Sequence, residues 1–342
     1  MKQNPYMATV LPGLEHVLAD EIGRKIADAD SYTIERGKVL FRSALPAGQL
    51  QCLRTADNLY LMLGAFRVGP HRTDLPELER SVAALDLSIV RPFARASAPY
   101  VVNASRRGRH TYSRFEAAEA AMRGIARQYP RWPRGGAEHH GAEFRLDLAE
   151  EEALFSFRLT DASYRFRGHG RRFSAASLRP TVAHALVWLS SPDAADRFLD
   201  PCCGSGTILA ERLAYPSAEI RGGDLSAEAV LAARSNCGAA AERCSLQQWD
   251  ARRLPLAAGS VSAVVSNLPF GRQIGERGEL GPLYRELLRE LARVLAPGGR
   301  AILLAEDGAL LRQAAERCGL SCGELARLSL KGLQPAVYKL LK

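Results

Sequence analysis

Short apolar runs in the first part of the chain alternate with segments whose apolar residues recur at helical spacing. Residues 6–10, 38–43 and 59–68 predict strands, because they are apolar and rich in residues that favour extended backbone. The apolar positions of residues 11–26 lie on one helical face, and residues 46–54 predict a second helix. The resulting β-α-β-α-β order predicts a small α+β unit.

A second unit of mixed type follows over residues 69–160. Its pattern predicts a helix near 75–85, a strand over 100–105 and a longer helix over 114–129. Residues 143–160 alternate apolar and polar positions on both sides of an acidic turn, which predicts a β-hairpin.

The pattern becomes more regular after the basic run 161–178, because buried strands then alternate with helices. Such alternation implies a doubly wound, largely parallel sheet, that is, an α/β fold. A helix opens this part near residues 178–191. The predicted strands are 197–200, 219–224, 245–250, 262–267 and 300–306 with two more near 323–341, and the further helices are 206–214, 226–239, 280–295 and 307–317.

Length and composition limit the class of protein. A chain of 342 residues suits about two domains, and 47% apolar with 24% charged residues is ordinary for a globular protein. The start lacks an apolar signal core, and no apolar run approaches the roughly 20 residues that span a bilayer. We therefore expect a cytoplasmic protein without a membrane partner. The seven Cys form no paired CxxC motifs, so neither a disulfide framework nor a metal site is expected.

The charge distribution indicates a polyanionic partner. The net charge is +9, and residues 103–115 hold four Arg and no acid, while residues 161–179 hold five Arg and one acid. Aromatic residues interleave with these runs, at Tyr112, Phe115, Tyr164, Phe166 and Phe173. Since Arg pairs with phosphates and exposed aromatics stack on bases, nucleic-acid contact is favoured over a merely solvated basic surface. The candidate RNA-binding residues are Arg106, Arg107, Arg109, Arg114, Arg165, Arg167, Arg171 and Arg172.

The stretch "FLDPCCGSGTILAE", residues 198–211, predicts a ligand-binding loop after the first strand of the parallel sheet. Gly204 and Gly206 allow a tight turn and a close approach of the backbone to a ligand. The third glycine of the dinucleotide fingerprint and the Lys of the phosphate-binding loop are both missing, which disfavours NAD and ATP.

Acidic residues end three successive predicted strands, at Asp200, Asp224 and Asp250. Asp224 lies about 20 residues beyond the loop, where an acid can accept hydrogen bonds from ribose hydroxyls. Asp250 could accept a hydrogen bond from an adenine amino group. Each acid alone could be a strand-end cap, but three in succession favour a nucleoside site.

Two motifs carry a family resemblance. "DPCCGSGTILAE" and "NLPFG" resemble motifs of S-adenosylmethionine-dependent amino-group methyltransferases, and their combination is similar to the tRNA guanine-N2 methyltransferases that carry a THUMP domain. "YMATVLPGLEHVLADEI", "VVNASRRGRHTYSRFEAAEA" and "FRLDLAEEEALFSFRLT" resemble that family's N-terminal half. The resemblance implies a ferredoxin-like domain over 1–68, a THUMP RNA-binding domain over 69–160, a basic linker over 161–178, and a Rossmann-like class I methyltransferase domain with a seven-stranded sheet over 179–342.

The resemblance also implies a reaction and its site. The cofactor would be S-adenosylmethionine, and the substrate would be tRNA, held at its acceptor stem and 3′ end by a monomer. The product would be N2-methylguanosine, in the branch that acts on guanosine 6. The resemblance assigns the cofactor to Asp200, Cys202, Gly204, Ser205, Gly206, Thr207, Asp224, Leu225, Asp250, Ala251 and Asn267, and catalysis to Asn267, Leu268, Pro269 and Phe270. Cys202 and Leu268 depart from the commoner forms of the two motifs, which have Gly and Pro there.

The chemistry explains why such a motif ends a buried strand. The guanine amine is a poor nucleophile because its lone pair delocalises into the ring. The Asn267 side-chain oxygen could accept one amine N–H and the Leu268 carbonyl the other, beside the rigid Pro269, while Phe270 stacks on the base. Ribosomal RNA methylation, methylation of protein glutamine or DNA adenine, and an RNA-binding protein with an inactive catalytic half remain alternatives.

Overall fold

The computed structural model describes residues 3–93, 98–136, 138–161, 163–168, 177–270, 280–330 and 332–342. These residues form two seven-stranded sheets, each covered by helices. The first sheet comes from residues 4–158 and the second from residues 197–341.

The first sheet contains strands from both predicted N-terminal units. Its strand order is β2-β3-β1-β4-β7-β6-β5. The antiparallel pairing of β4 with β7 joins the two units through one ladder. The elements are β1 (Asn4–Thr9), α1 (Glu15–Lys25), β2 (Asp30–Glu35), β3 (Lys38–Ser43), α2 (Ala47–Leu50), β4 (Asn58–Arg67), α3 (Leu75–Ala83), β5 (Tyr100–Arg107), α4 (Arg114–Gln128), β6 (Ala142–Ala149) and β7 (Glu152–Arg158).

Local sequence explains the longest helix of this half. Ser113 caps α4, because its side chain accepts the Glu116 N–H at 3.2 Å while the Glu116 carboxylate accepts the Ser113 N–H at 2.9 Å. Small residues then let α4 lie close to α3, since a Cβ on Gly124 would stand 2.6 Å from the Glu79 carbonyl oxygen. The helix pair covers the sheet and leaves the N-terminal end of α4 at the surface.

The second sheet has the order β10-β9-β8-β11-β12-β14-β13. The ladders between β10 and β12 are parallel, and β14 runs antiparallel to both of its neighbours. The predicted class I methyltransferase fold is therefore confirmed. Its elements are α5 (Pro180–Leu189), β8 (Arg197–Asp200), α6 (Thr207–Arg212), β9 (Glu219–Asp224), α7 (Ala227–Cys237), β10 (Cys244–Gln248), β11 (Val261–Asn267), α8 (Leu280–Val294), β12 (Leu295–Ala305), α9 (Gly308–Arg317), β13 (Ser321–Arg327) and β14 (Ala336–Leu341).

Several elements differ from the sequence prediction, and β12, for example, begins at Leu295 and not at residue 300. Strand β2 was not predicted, because all six of its residues are exposed and carry no buried apolar alternation; it forms by pairing with β3 at the sheet edge. The helix expected over 46–54 ends at Leu50, and α1 begins only at Glu15. The division into domains at residues 68, 160 and 178 stays a prediction.

One apolar core continues between the two sheets. Leu18 and Leu61 of the N-terminal half are buried in the same cluster as Val182, Leu186 and other residues of the C-terminal half. Burial of this apolar surface stabilises the arrangement of the two halves.

Candidate active site

The site lies where strand order reverses in the second sheet. Strand β8 is the first of the parallel set, β9 pairs on one side of it and β11 on the other. Ligands of open parallel sheets bind beyond the carboxyl ends of the strands at such a reversal. Asp200 and Asn267 end the two central strands, and their elements are linked by the Ser266 hydroxyl, which donates to Asp200 Oδ1 at 2.7 Å.

The glycine loop after β8 turns tightly into α6. Gly204 and Gly206 have φ of 51° and 76°, a left-handed backbone conformation that residues other than glycine rarely adopt. A Cβ on Gly206 would lie 2.7 Å from that of Ala233 in α7, whereas one on Gly204 would meet no atom of the described residues within 4 Å. Gly206 is therefore required for packing, and Gly204 faces open space in the described part of the chain. Ser205 and Thr207 are both buried beside it.

Asp200 has the most unusual environment of the predicted cofactor residues. It is 1% exposed, and its Oδ2 has no hydrogen-bond partner among the described residues. Burial raises the pKa of Asp200 to about 7, against the opposing effect of hydrogen bonds from Ser266 and the Cys202 backbone. A buried carboxylate oxygen without a donor fits a cationic or hydrogen-bonding ligand group.

Asp224 shapes the loop from the neighbouring strand. Its Oδ2 accepts the Gly204 N–H at 2.9 Å, and its Oδ1 accepts the Ser226 N–H at 3.0 Å. The adjacent Leu225 is 68% exposed at the mouth of the site, and its carbonyl accepts a hydrogen bond from Gln248. An exposed Leu at this position can cover the flat face of a bound ligand.

Asp250 lies two residues beyond β10 and is paired with Arg252. The guanidinium approaches both carboxylate oxygens, with Nη2 2.7 Å from Oδ2, and the Arg252 hydrogen bond lowers the pKa of Asp250. The half-buried Ala251 packs on the apolar cluster beneath. The structure thus brings Asp224 and Asp250 to adjacent strand ends, but Asp250 is engaged by an Arg that the sequence analysis did not single out.

The strand-end motif 267–270 is held from three sides. Asn267 Oδ1 is buried without a hydrogen-bond partner among the described residues. Leu268 is buried and its N–H donates to the Leu304 carbonyl at 2.9 Å, while the Tyr284 hydroxyl donates to the Pro269 carbonyl at 3.1 Å. Phe270 is partly buried. The backbone is fixed, and the Asn267 oxygen is left as an acceptor.

Four supporting side chains were missed by sequence reasoning: Ser266, Tyr284, Trp249 and Asn236. Trp249 donates through Nε1 to the Pro201 carbonyl at 2.9 Å, and Asn236 donates to the Ser205 carbonyl at 2.8 Å. The Trp249 ring lies against Gly223, where a Cβ would come within 2.3 Å of it. None of these residues belongs to a motif, so their role emerges only from packing.

The two cysteines of the loop are poor nucleophiles. Burial raises the pKa of both Cys202 and Cys203, and the neighbouring carboxylate of Asp200 raises it further. Thiolate chemistry is disfavoured at such sites. Cys203 is buried and packs in the core, while Cys202 is partly exposed to the site.

A basic surface lies on the first half at the end of β5 and the start of α4. Arg106, Arg107, Arg109 and Arg114 are exposed there. Phe115 is 71% exposed and stacks with the Arg114 guanidinium, 4.8 Å from its ring centroid. Such a pairing of cationic and aromatic side chains suits contact with nucleic acid.

The second basic run differs from expectation. Arg167 is directed into the protein, where its Nε lies 3.3 Å from Glu211 Oε1 and it also donates to the Tyr164 and Arg54 carbonyls. Arg165 Nε is buried and its guanidinium stacks on Phe166. Arg171 and Arg172 lie outside the described residues.

One predicted stacking residue is in the core. Tyr112 is 1% exposed, and its hydroxyl donates to the Gly69 carbonyl at 3.1 Å. Burial also raises the pKa of Tyr164, whose hydroxyl donates to the Leu53 carbonyl. The expectation that these two aromatics face a base is therefore wrong for Tyr112 and disfavoured for Tyr164.

The described part of the chain holds neither a candidate metal centre nor a membrane-spanning helix. No cluster of three or more His, Cys, Asp or Glu side chains has the geometry to hold a metal ion in that part of the chain. No helix within it is long and apolar enough to cross a membrane.

The sheet order, the glycine loop after β8 and the acids at the next strand ends define an S-adenosylmethionine-dependent class I methyltransferase. Residues 167–336 match the family model UPF0020, whose description is RMKL-like, methyltransferase domain. This match covers the C-terminal part of the chain, which contains the glycine loop and the strand-end motif.

Individual proteins with similar sequences are RNA methyltransferases. The chain is 29% identical over 343 residues to the tRNA (guanine(6)-N2)-methyltransferase of Thermus thermophilus, with 98% of each chain covered. It is 30% identical over 249 residues to the tRNA (guanine(6)-N(2))-methyltransferase THUMP3 of Bos taurus, with 68% of this chain and 49% of that protein covered. It thus spans about half the length of the bovine relative. The crystal structure of TrmN from Thermus thermophilus matches it with a TM-score of 0.86 at 28% identity over 100% of both chains.

Proposed function

We propose that this protein transfers a methyl group from S-adenosylmethionine to the exocyclic N2 of guanosine 6 in the acceptor stem of tRNA, giving N2-methylguanosine. The observation that carries the proposal is that Oδ1 of Asn267 at the end of β11 and Oδ2 of Asp200 at the end of the neighbouring β8 are both buried and have no hydrogen-bond partner among the described residues. The full-length similarity to the Thermus thermophilus enzyme, named for guanosine 6, supports the substrate and the position.

Asn267 and Leu268 orient the amine. The Asn267 oxygen accepts one N–H of the guanine amine, and the Leu268 carbonyl accepts the other. The Leu268 backbone is anchored to Leu304 and the Pro269 carbonyl to Tyr284, so the two acceptors keep a fixed relative position. Phe270 stacks on the base. Positioning of this kind provides much of the acceleration in a direct displacement.

The residues present fit the cofactor. When bound, S-adenosylmethionine supplies an electrophilic methyl group on a sulfonium. Asp200 and the loop 202–207 would hold its methionine portion, where, within the described parts of the chain, Asp200 Oδ2 lacks a donor and Gly204 borders open space. Asp224 with Leu225 would hold the ribose, and Asp250 with Ala251 the adenine. Arg252 engages both Asp250 oxygens, so a ligand hydrogen bond to Asp250 would use a further lone pair of the carboxylate.

No titratable group is needed to activate the amine. Neither Asn267 nor Phe270 titrates, and the amine proton leaves after the transfer, when the nitrogen carries positive charge. The protein's part is to hold the amine lone pair toward the methyl group. In this assignment the motif 267–270 orients the amine, and the loop 202–207 holds the cofactor.

RNA binding would involve the basic surface of the first half. Arg106, Arg107, Arg109 and Arg114 would contact phosphates near the acceptor stem and 3′ end, with Phe115 on an unpaired base. The resemblance of this half to a THUMP domain and the name of the bovine relative support this role. Since guanosine 6 is paired in the stem, it must be flipped out, at a cost of a few kcal/mol. One chain carries both surfaces, so we propose a monomer that works in the cytoplasm.

Methyl incorporation tests the proposal. Purified protein is incubated with labelled S-adenosylmethionine and either unmodified tRNA or ribosomal RNA, and the products are analysed by nucleoside and fragment mass spectrometry. The proposal requires N2-methylguanosine in an acceptor-stem fragment of tRNA. Label in ribosomal RNA alone, or in neither RNA, contradicts it.

A further inference from the structure

The N-terminal half forms ion pairs with α6, the helix that follows the predicted cofactor loop. Glu211 in the last turn of α6 is fully buried. Its Oε2 lies 2.9 Å from Nε and 2.7 Å from Nη2 of Arg54, a residue of the loop between α2 and β4. Arg167 of the connecting segment reaches its other oxygen at 3.3 Å. A helix whose first residue borders the cofactor is therefore tied at its other end to the predicted RNA-binding half.

Arg54 is itself fixed by a second buried carboxylate. Glu21 of α1 is fully buried and accepts the N–H groups of Arg54 at 2.9 Å and Thr55 at 2.8 Å. Lys25 Nζ lies 2.7 Å from the same carboxylate. The Arg54 backbone and side chain are thus both held, so the guanidinium presents a preorganised fork to Glu211.

Further contacts continue the interface on both sides of Arg54. Thr55 Oγ1 lies 2.9 Å from Nδ1 of the fully buried His184 in α5, whose Nε2 lies 2.6 Å from the Tyr215 hydroxyl. Burial lowers the pKa of His184 well below its ordinary value, so this imidazole is neutral and bridges two hydroxyls. Asp57 accepts from Arg179 at 3.0 Å and Thr181 at 2.6 Å.

This cluster lies outside the methyl-transfer site. Its carboxylates accept from Arg and Thr side chains and backbone N–H groups, and the His184 ring nitrogens lie beside the Thr55 and Tyr215 hydroxyls, so these groups serve the boundary between the halves. Glu211 is fully buried and both Nε and Nη2 of Arg54 contact its Oε2, so removing Arg54 withdraws two close cationic contacts from a buried carboxylate. Such a boundary fixes the distance and the angle between the two halves.

We propose that Arg54 and Glu211 are positioning residues which hold the cofactor-loop helix at a fixed distance from the RNA-binding half and so select the guanine that is methylated. This inference rests on the proposed function. Selection by a fixed distance requires that the two halves do not slide by the spacing of one nucleotide. The shared apolar core and the buried polar contacts around Arg54 meet that requirement.

The test compares Arg54→Ala with Arg67→Ala. Arg67 forms an exposed ion pair with Glu151 inside the N-terminal half, so its loss removes an Arg–Glu pair without touching the boundary. For each variant, fold is measured by circular dichroism, S-adenosylhomocysteine affinity by calorimetry, and single-turnover methylation of unmodified tRNA by rate and by fragment mass spectrometry. Arg54→Lys retains the charge without the planar fork, and it carries the same test if Arg54→Ala does not fold.

We expect Arg54→Ala to lower the single-turnover rate at guanosine 6 at least tenfold, with tRNA affinity unchanged within threefold, and to raise the fraction of product at neighbouring guanines. Arg54→Lys should recover part of the rate, and Arg67→Ala should match the wild type. Unchanged rate and product position in a folded Arg54 variant would overturn the inference. If the wild type itself does not methylate tRNA, the proposed function fails instead.

Discussion

Replacing Asn267 with Ala should abolish most methyl transfer while leaving the fold and cofactor binding in place. Asn267 Oδ1 is buried and has no hydrogen-bond partner among the described residues. We propose that it accepts a hydrogen bond that forms only when the amine is bound. Loss of one such preorganised group costs about 2.7–4 kcal/mol of transition-state stabilisation, or about 10²–10³ in kcat.

The effect on stability should be small and is equally informative. A buried acceptor without a donor carries a desolvation cost of about 1–3 kcal/mol, and its removal offsets the cavity that the shorter side chain leaves. We expect the free energy of unfolding of Asn267→Ala to stay within about 1 kcal/mol of the wild type. Most buried polar substitutions would instead destabilise the protein.

Ser266→Ala, at the adjacent position, is the matched control variant. Its hydroxyl donates to Asp200 at 2.7 Å, so this substitution breaks an existing hydrogen bond and should lower stability by about 1 kcal/mol together with cofactor affinity. The assays are single-turnover methyl transfer, calorimetry with S-adenosylhomocysteine, and urea denaturation. If Asn267→Ala keeps its rate within threefold, or loses cofactor affinity as Ser266→Ala does, the assignment of Asn267 to the amine is refuted.

Three further predictions concern the loop and the basic surface. Because burial raises the pKa of Asp200 from 3.8 to about 7, the cofactor-free protein should lose stability as pH rises through this interval, and Asp200→Asn should flatten that part of a pH-dependent denaturation series. Gly206→Ala should destabilise the fold by at least about 1–2 kcal/mol because of the positive φ, and the clash with Ala233 adds to that cost. Gly204→Ala carries only the conformational cost and should mainly weaken cofactor binding. Thermal melts report the loss of stability in each variant, and calorimetry reports the loss of cofactor affinity. Replacing Arg106 and Arg107 by Ala should weaken tRNA binding and reduce its salt slope by about one per lost phosphate contact, without altering cofactor affinity; an unchanged slope would leave the patch as solvated surface.

The periodicity of apolar residues was sufficient to predict the helices and strands that bury an apolar face. The strand predicted over 38–43 is β3 to the residue, and the helix predicted over 114–129 differs from α4 by one position. Strand β2 could not be found in this way, since its residues are exposed and its structure comes from the backbone of β3. The joining of the two N-terminal units into one sheet likewise depends on non-local pairing between β4 and β7.

The residues of the candidate site also fall into those that the sequence predicts and those that it does not. Motif residues such as Gly206 and Asn267 were predicted because their chemistry has a sequence signature. Trp249, Tyr284 and Ser266 support them through single hydrogen bonds to loop carbonyls or to Asp200, and such contacts leave no local pattern. Charge runs do not show which way a side chain points, which is why Arg167, expected on RNA, lies against Glu211 instead.

The central claim is that the protein methylates the exocyclic amine of one acceptor-stem guanosine, and a tRNA with inosine at position 6 tests it most directly. Inosine lacks only the 2-amino group. We expect full methylation of the guanosine-6 tRNA, none of the inosine-6 tRNA, and similar affinity for both. Equal label in the two RNAs would show that the methyl group goes to another atom or another nucleotide, and would contradict transfer to the guanosine amine.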